Sequence, residues 1–315
     1  MFGKKLVGQM ISRSSENTED RRRFLQSAGA LGLGIVGAGA LGSAAAQADV
    51  LGSAAAQADD DAGPSDGAVL NFALNLEYLE AEFYQYAVHG RGLADSMTTG
   101  TGLRGGVVGG KKVPFKTPRI RQYAAEIAGD ELAHVKFLRG ALGSAAVSRP
   151  AINIRESFTY AARAAKLIGA KDVFDPYANE NNFLLAAFLF EDVGVTAYKG
   201  AAPLITNKTY LEAAAGILSV EAYHAATIRS SLFEKDLGAH VAKLSGARNM
   251  LDGYGDEDQG IVRDRSANIN PTDKNGIAFS RSYDRVLNIV YLNPNKVTKG
   301  GFYPKGVNGP LNTSS

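Results

Sequence analysis

Two long alanine- and leucine-rich segments of this 315-residue chain align on each other at an offset of 90 residues. The match pairs Ala124 with Ala214, Ala125 with Ala215, Ile127 with Ile217, Glu131 with Glu221, His134 with His224, Arg139 with Arg229 and Leu142 with Leu232. Two other segments share a second pattern, Glu77 with Tyr84 and Glu191 with Tyr198, seven residues apart in each. A duplicated helical hairpin accounts for both alignments, and it restricts the chain to four helices in two related pairs.

Apolar residues recur at helical spacing over roughly 66–88, 118–142, 180–201 and 208–233, and strand patterns are nearly absent. Punctuation agrees with those bounds. Ser65 or Asp66 caps the first helix and Gly90 ends it; Thr117-Pro118 starts the second and Gly143 ends it; Asn207 caps the fourth. Short helices are expected over 155–168, 237–250 and 280–291, and the Gly-, Asn-, Asp- and Pro-rich tail from Asp252 as irregular structure wrapped on the bundle. The expected fold is all-α, an antiparallel four-helix bundle over 66–234 with a C-terminal extension over 235–315.

Residues 1–48 stand apart from this pattern. Arg21-Arg22-Arg23-Phe24-Leu25 opens a weakly apolar Ala/Gly stretch ending in Ala46-Gln47-Ala48, which resembles a twin-arginine export signal. The nonapeptide Leu41 to Asp49 recurs as Leu51 to Asp59, so cleavage after Ala48 or after Ala58 fits equally, with the rest up to residue 65 as linker. A membrane anchor is the weaker reading, because glycine and alanine are poor material for a spanning helix. Export by this route implies folding and cofactor loading before the membrane is crossed, and a periplasmic or extracellular destination. Without residues 1–48, 28 basic side chains face 29 acidic ones, and no basic patch interleaved with aromatics remains, which speaks against a nucleic-acid partner.

Cysteine is absent, so a metal could be held only by oxygen and nitrogen ligands. Glu131-Leu-Ala-His134 and Glu221-Ala-Tyr-His224 each place a carboxylate and an imidazole on one helical face. With fourteen glutamates and four histidines in the chain, about 0.2 such tetrads would arise by chance. The other two helices supply Glu77 and Glu191. In the first helix the apolar stripe Leu70, Leu74, Ala81, Tyr84, Val88 passes through Glu77, whereas Glu80 aligns with Gly194 and is the substitute ligand; Glu82 reads as solvated. One glutamate from each of two helices and a Glu-x-x-His from each of the others is the composition of a dinuclear carboxylate site, and four carboxylates balance two divalent cations. Tyr84 and Tyr198, two turns beyond Glu77 and Glu191, are candidates for binding a ligand carboxylate or for one-electron chemistry, against the simpler alternative of packed tyrosines. His89 and His240 read as surface residues.

Three other patterns carry no chemistry. Gly32-Leu-Gly34-Ile-Val-Gly37 lies in the apolar part of the signal and follows no strand. Gly105 to Lys111 matches the start of a phosphate loop, but Lys112 stands where Ser or Thr must hold magnesium, leaving a flexible loop. Asp256-Glu257-Asp258 lacks calcium-hand spacing and reads as a solvated turn.

The stretch Leu70 to Tyr84, the stretch Phe174 to Ala202 and the tail Gly300 to Gly309 resemble the desiccation-related group of ferritin-like proteins, and the resemblance runs from about 66 to 310. It implies a ferritin-like bundle with a crossover connection and a dinuclear iron or manganese site, rather than iron storage. The glycine-rich insertion at 100–112 and the long tail depart from compact cage subunits. Two functions fit. One is a dinuclear-metal oxidoreductase, catalase-, peroxidase- or ferroxidase-like, handling peroxide or dioxygen. The other is a non-enzymatic stress-protective or interaction protein with a structural or vestigial site. Self-association into a homo-oligomer is compatible with either.

Overall fold

The computed structural model describes residues 63–315 apart from Tyr254; the twin-arginine stretch, the repeated nonapeptide and the Gly32–Gly37 pattern lie outside the described residues. Four long helices carry the bundle: α1 (Asp66–His89), α2 (Pro118–Leu142), α4 (Glu180–Ala201) and α5 (Lys208–Glu234). Three short ones accompany them: α3 (Glu156–Ala164) between α2 and α4, then α6 (Gly238–Leu251) and α7 (Tyr283–Val290) in the C-terminal extension.

Helix directions follow from which residues meet. Gln85 of α1 donates to the carbonyl of Ala128 at 2.8 Å and Asn71 to that of Ala145 at 3.1 Å, so α1 and α2 run antiparallel. Tyr198 of α4 donates to Glu77 and Tyr84 of α1 to Glu191, so α1 and α4 are also antiparallel. Helices α2 and α4 therefore point the same way, and the chain between them must travel the length of the bundle. That crossover contains α3, whose Phe158 packs against Phe83 of α1, Phe190 of α4 and Phe302 of the tail.

Caps explain where the helices begin. The Ser65 side chain accepts from the Ala68 amide, and Asn207 accepts from the amides of Thr209 and Tyr210. Asp66, the alternative first cap, instead binds the amides of Thr206 and Asn207. Thr117 makes no side-chain cap; Glu180 of α4 reaches across to the amides of Lys116 and Thr117 and to the Thr117 hydroxyl.

Three expectations are corrected. The glycine-rich insertion is tied down: Val107–Val108 (β1) pairs in parallel with Ile152–Asn153 (β2), and a Cβ at Gly105 would fall 2.2 Å from the Ala151 nitrogen. Glycine there permits close backbone approach rather than freedom. Glu82 is fully buried and paired with Arg149, which arrives on the crossover, and it accepts from the Leu93 amide at 3.1 Å. The Asp256-Glu257-Asp258 run is only partly solvated: the Asp258 side chain is buried between Arg248 at 2.7 Å and Arg281 at 2.5 Å, and Glu257 pairs with Arg285. A second two-stranded ribbon, Val262–Arg263 (β3) with Ser266–Ala267 (β4), follows that run.

The extension is clamped on by charge. Asp192 of α4 receives Arg229 of α5 at 2.8 Å and Arg248 of α6 at 2.9 Å, while Asp252 receives Arg281 at 2.7 Å. Tyr303 and Asn308 of the tail bond to Asn75, which is why α1 is buried on nearly every face.

Candidate metal centre

Each Glu-x-x-His turn points both donors at the bundle axis, and the antiparallel crossing of α2 and α5 interleaves them. His134 Nδ1 lies 3.2 Å from Glu77 Oε2, 3.7 Å from Glu131 Oε2 and 3.8 Å from Glu221 Oε1. His224 Nδ1 lies 3.1 Å from Glu131 Oε1 and 3.4 Å from Glu191 Oε2. The two imidazole centroids are 6.3 Å apart. Glu77, Glu131, His134 and Glu221 thus form one group, Glu131, Glu191 and His224 the other, with donor atoms in each within 4.8 Å of one another and all six residues buried. Glu131 belongs to both.

The two tyrosines exchange partners between repeats. The Tyr84 hydroxyl donates to Glu191 Oε1 and the Tyr198 hydroxyl to Glu77 Oε1, each helix holding the carboxylate of the other. Both phenols are held well above their ordinary range by burial and by the carboxylates beside them. Glu80 is buried but belongs to neither group. A Cβ at Gly194 would lie 2.1 Å from Glu221 Oε2 and 3.6 Å from Glu80 Oε1, so the position aligned with Glu80 is glycine because two carboxylates occupy the space above it. His89 and His240 are exposed.

Asp130 also reaches the cluster, although nothing in its sequence setting points to it. Its Oδ2 lies 3.1 Å from His224 Nε2, which orients the ring so that Nδ1 faces Glu131 and Glu191. The repeat places Val220 at the equivalent position, so the centre is asymmetric. The repeat also contains a signal that could have been read: Tyr78 and Asp192 occupy equivalent places beside Glu77 and Glu191, and the equivalent arginines bind them, Arg139 to the Tyr78 hydroxyl at 2.6 Å and Arg229 to Asp192.

Such a cage is costly without cations. Burial pushes Glu77 up to about 7 in spite of His134. Burial and neighbouring carboxylates raise Glu80 and Glu221, and burial raises Glu191. Burial would raise Glu131 too, but the two flanking histidines bring it to about 2. Burial opposes protonation of His134 and His224, yet the surrounding carboxylates raise them to about 10 and about 12. Protonated imidazoles thus supply positive charge where cations would. Both carboxylate oxygens of Glu131 and of Glu221, Oε2 of Glu191 and Nδ1 of His224 are buried with no aligned hydrogen-bond partner, a set of oxygen and nitrogen donors compatible with a metal centre.

An antiparallel bundle with one long crossover and a buried glutamate and histidine cage is the ferritin-like architecture. The ferritin-like domain family matches residues 65–234, and the chain belongs to that family. It is 33% identical over 269 residues to the desiccation-related protein PCC13-62 of Craterostigma plantagineum, covering 79% of this chain and 85% of that protein. It is 28% identical over 266 residues to the ferritin-like catalase Nec2 of Nesocodon mauritianus, covering 78% and 85%. No solved structure matches the chain.

Proposed function

We propose that this protein is an exported ferritin-like metalloprotein that consumes hydrogen peroxide at a dinuclear iron or manganese centre during oxidative or desiccation stress. The observation that carries the reading is the convergence of Glu77, Glu131, His134, Glu191, Glu221 and His224 on one buried point, with Glu131 common to both halves. The catalase-named relative supports peroxide as substrate, and the Arg21-Arg22-Arg23 stretch supports twin-arginine export. Two ions each changing by one electron supply the two-electron chemistry of peroxide disproportionation, and five nearby carboxylates sit midway between the 4+ and 6+ of a divalent and a trivalent pair.

The chain's own groups have distinct tasks. Glu131 spaces the two halves. Tyr84 and Tyr198 each hold one oxygen of Glu191 and Glu77, leaving the other to face the centre. Glu80, outside both groups and beside Glu221, is held protonated by burial and by its carboxylate neighbours, and offers that proton to the oxygen leaving as water before regaining one from the next peroxide. The surrounding apolar bundle excludes bulk water and so limits side reactions.

A second reading, stress protection without catalysis, draws on the name of the first relative. Metal analysis of protein purified from its native exported pool, combined with oxygen evolution from peroxide, separates the two. About two iron or manganese ions per chain and oxygen release that disappears in Glu131→Gln support the catalytic reading. Metal-loaded protein that releases no oxygen overturns it.

A further inference from the structure

A semi-enclosed cavity of about 250 Å³ abuts the carboxylate cage. Glu80 and Gly194 in its lining are buried, which makes theirs the inner side, whereas Tyr160 and Ala164 are exposed and mark the outer one. Much of its wall comes from outside the four long helices: Tyr160 and Ala164 from α3, Leu244 from α6 and Ile289 from α7. The crossover and the extension therefore enclose a space that the bundle alone would leave open.

The lining is almost wholly apolar. Arg248 contributes to it, but its guanidinium is already committed to the Phe188 carbonyl at 3.0 Å, Asp192 at 2.9 Å and Asp258 at 2.7 Å. Glu80 is left as the ionisable group able to meet an occupant at the inner end. Leu292, also in the lining, is held at φ 52°, a left-handed conformation that a leucine rarely adopts and that tends to persist where function over-determines it. Protein interiors rarely keep voids much larger than a water molecule, because unfilled space forfeits packing. An apolar cavity of roughly 150 Å³ accepts benzene, so this one suits a molecule of about ten non-hydrogen atoms by proportion.

We propose that the cavity is a binding site for a neutral, largely aliphatic small molecule carrying one hydroxyl or carbonyl group, which lies at Glu80 beside the metal cage. The occupant's head is uncharged because a carboxylate there would be buried among apolar walls with no free cation to pair with, Arg248 being committed already. An apolar body matches the walls, and a single polar group matches the single free carboxyl. The site is built from protein side chains alone, so it stands whether or not the peroxide reading holds.

The test is calorimetric titration of the full-length chain with 1-octanol and with octanoate, before and after chelation of metal. Saturable octanol binding in both states, with octanoate at least about tenfold weaker, is the expected result. Ala164→Trp closes the exposed end and Ala247→Met fills the interior; each is expected to weaken octanol binding at least about tenfold while helical circular dichroism is retained. No octanol binding up to its solubility limit, equal binding of octanoate, or unchanged affinity in both folded variants would overturn the proposal. Metal content and oxygen release, measured on the same samples, report separately on the centre.

Discussion

Gly194→Ala separates the metal account from a purely structural one. The added Cβ would fall 2.1 Å from Glu221 Oε2, whereas ordinary contact begins at 3.4 Å, so the carboxylate must withdraw by about 1.3 Å. Metal–oxygen bonds tolerate errors of about 0.2 Å, so a retreat of that size removes Glu221 from the donor set. The fold itself should hardly suffer. The obstructing atom is the end of a flexible side chain, and alanine inside a helix is favoured over glycine by roughly 0.8–1 kcal/mol. The variant is therefore expected to melt at or slightly above the wild-type temperature when both are chelated. Its affinity for manganese should fall at least about 100-fold, near 2.8 kcal/mol, since loss of a supporting residue alone costs 10–100-fold. Gly216→Ala, on α5 with nothing within 4 Å of the new Cβ, is the matched control and should bind metal as the wild type does. Equilibrium metal titration followed by thermal melts of the chelated proteins reads both quantities. Wild-type affinity in Gly194→Ala would refute the assignment of Glu221 as a ligand.

Asp130→Asn should weaken one of two metal-binding steps by about 10–100-fold and leave the other, because only His224 has a carboxylate behind it; equal loss at both steps in a stepwise titration counts against the asymmetry. Stability of the chelated protein should fall as pH rises from 4.5 through about 7 on account of Glu77, and from 6.5 through about 10 to about 12 on account of the two histidines. Glu77 holds its proton to about 7 when folded against 4.5 when unfolded, and His134 and His224 hold theirs to about 10 and 12 against 6.5, so all three stabilise the fold only while protonated. Metal binding displaces those protons, so affinity should rise over the same range, and melting curves with and without manganese should diverge with pH. Arg281→Met takes one of two arginine partners from each of Asp252 and Asp258, which keep Arg285 and Arg248, and should cost about 3 kcal/mol in chemical denaturation, the low end for breaking a buried pair, with the extension becoming sensitive to protease; a change under 1 kcal/mol would show that the clamp is not buried as described.

How far the sequence could be read depended on how local each cause was. The four long helices were legible because their caps, apolar period and terminal glycines lie within the segments themselves. The six clustered residues were legible because duplication repeats them at fixed offsets, which turns a distant contact into a pattern along the chain. Glu82 was misread because Arg149 comes from the crossover, and Asp258 because Arg248 and Arg281 come from separate parts of the extension. Neither pairing leaves a trace in local charge spacing. Asp130 escaped notice because its partner stands on α5, and the repeat gives Val220 no matching role. Enclosure of the cavity is a property of several elements meeting, so no single segment announces it.

Anomalous diffraction from crystals of manganese- or iron-loaded protein locates the ions themselves. Two peaks are expected inside the bundle, one among Glu77, Glu131, His134 and Glu221 and one among Glu131, Glu191 and His224, with the Glu131 carboxylate reaching both. No peak within the cage, or a single peak that Glu131 does not touch, would contradict the account.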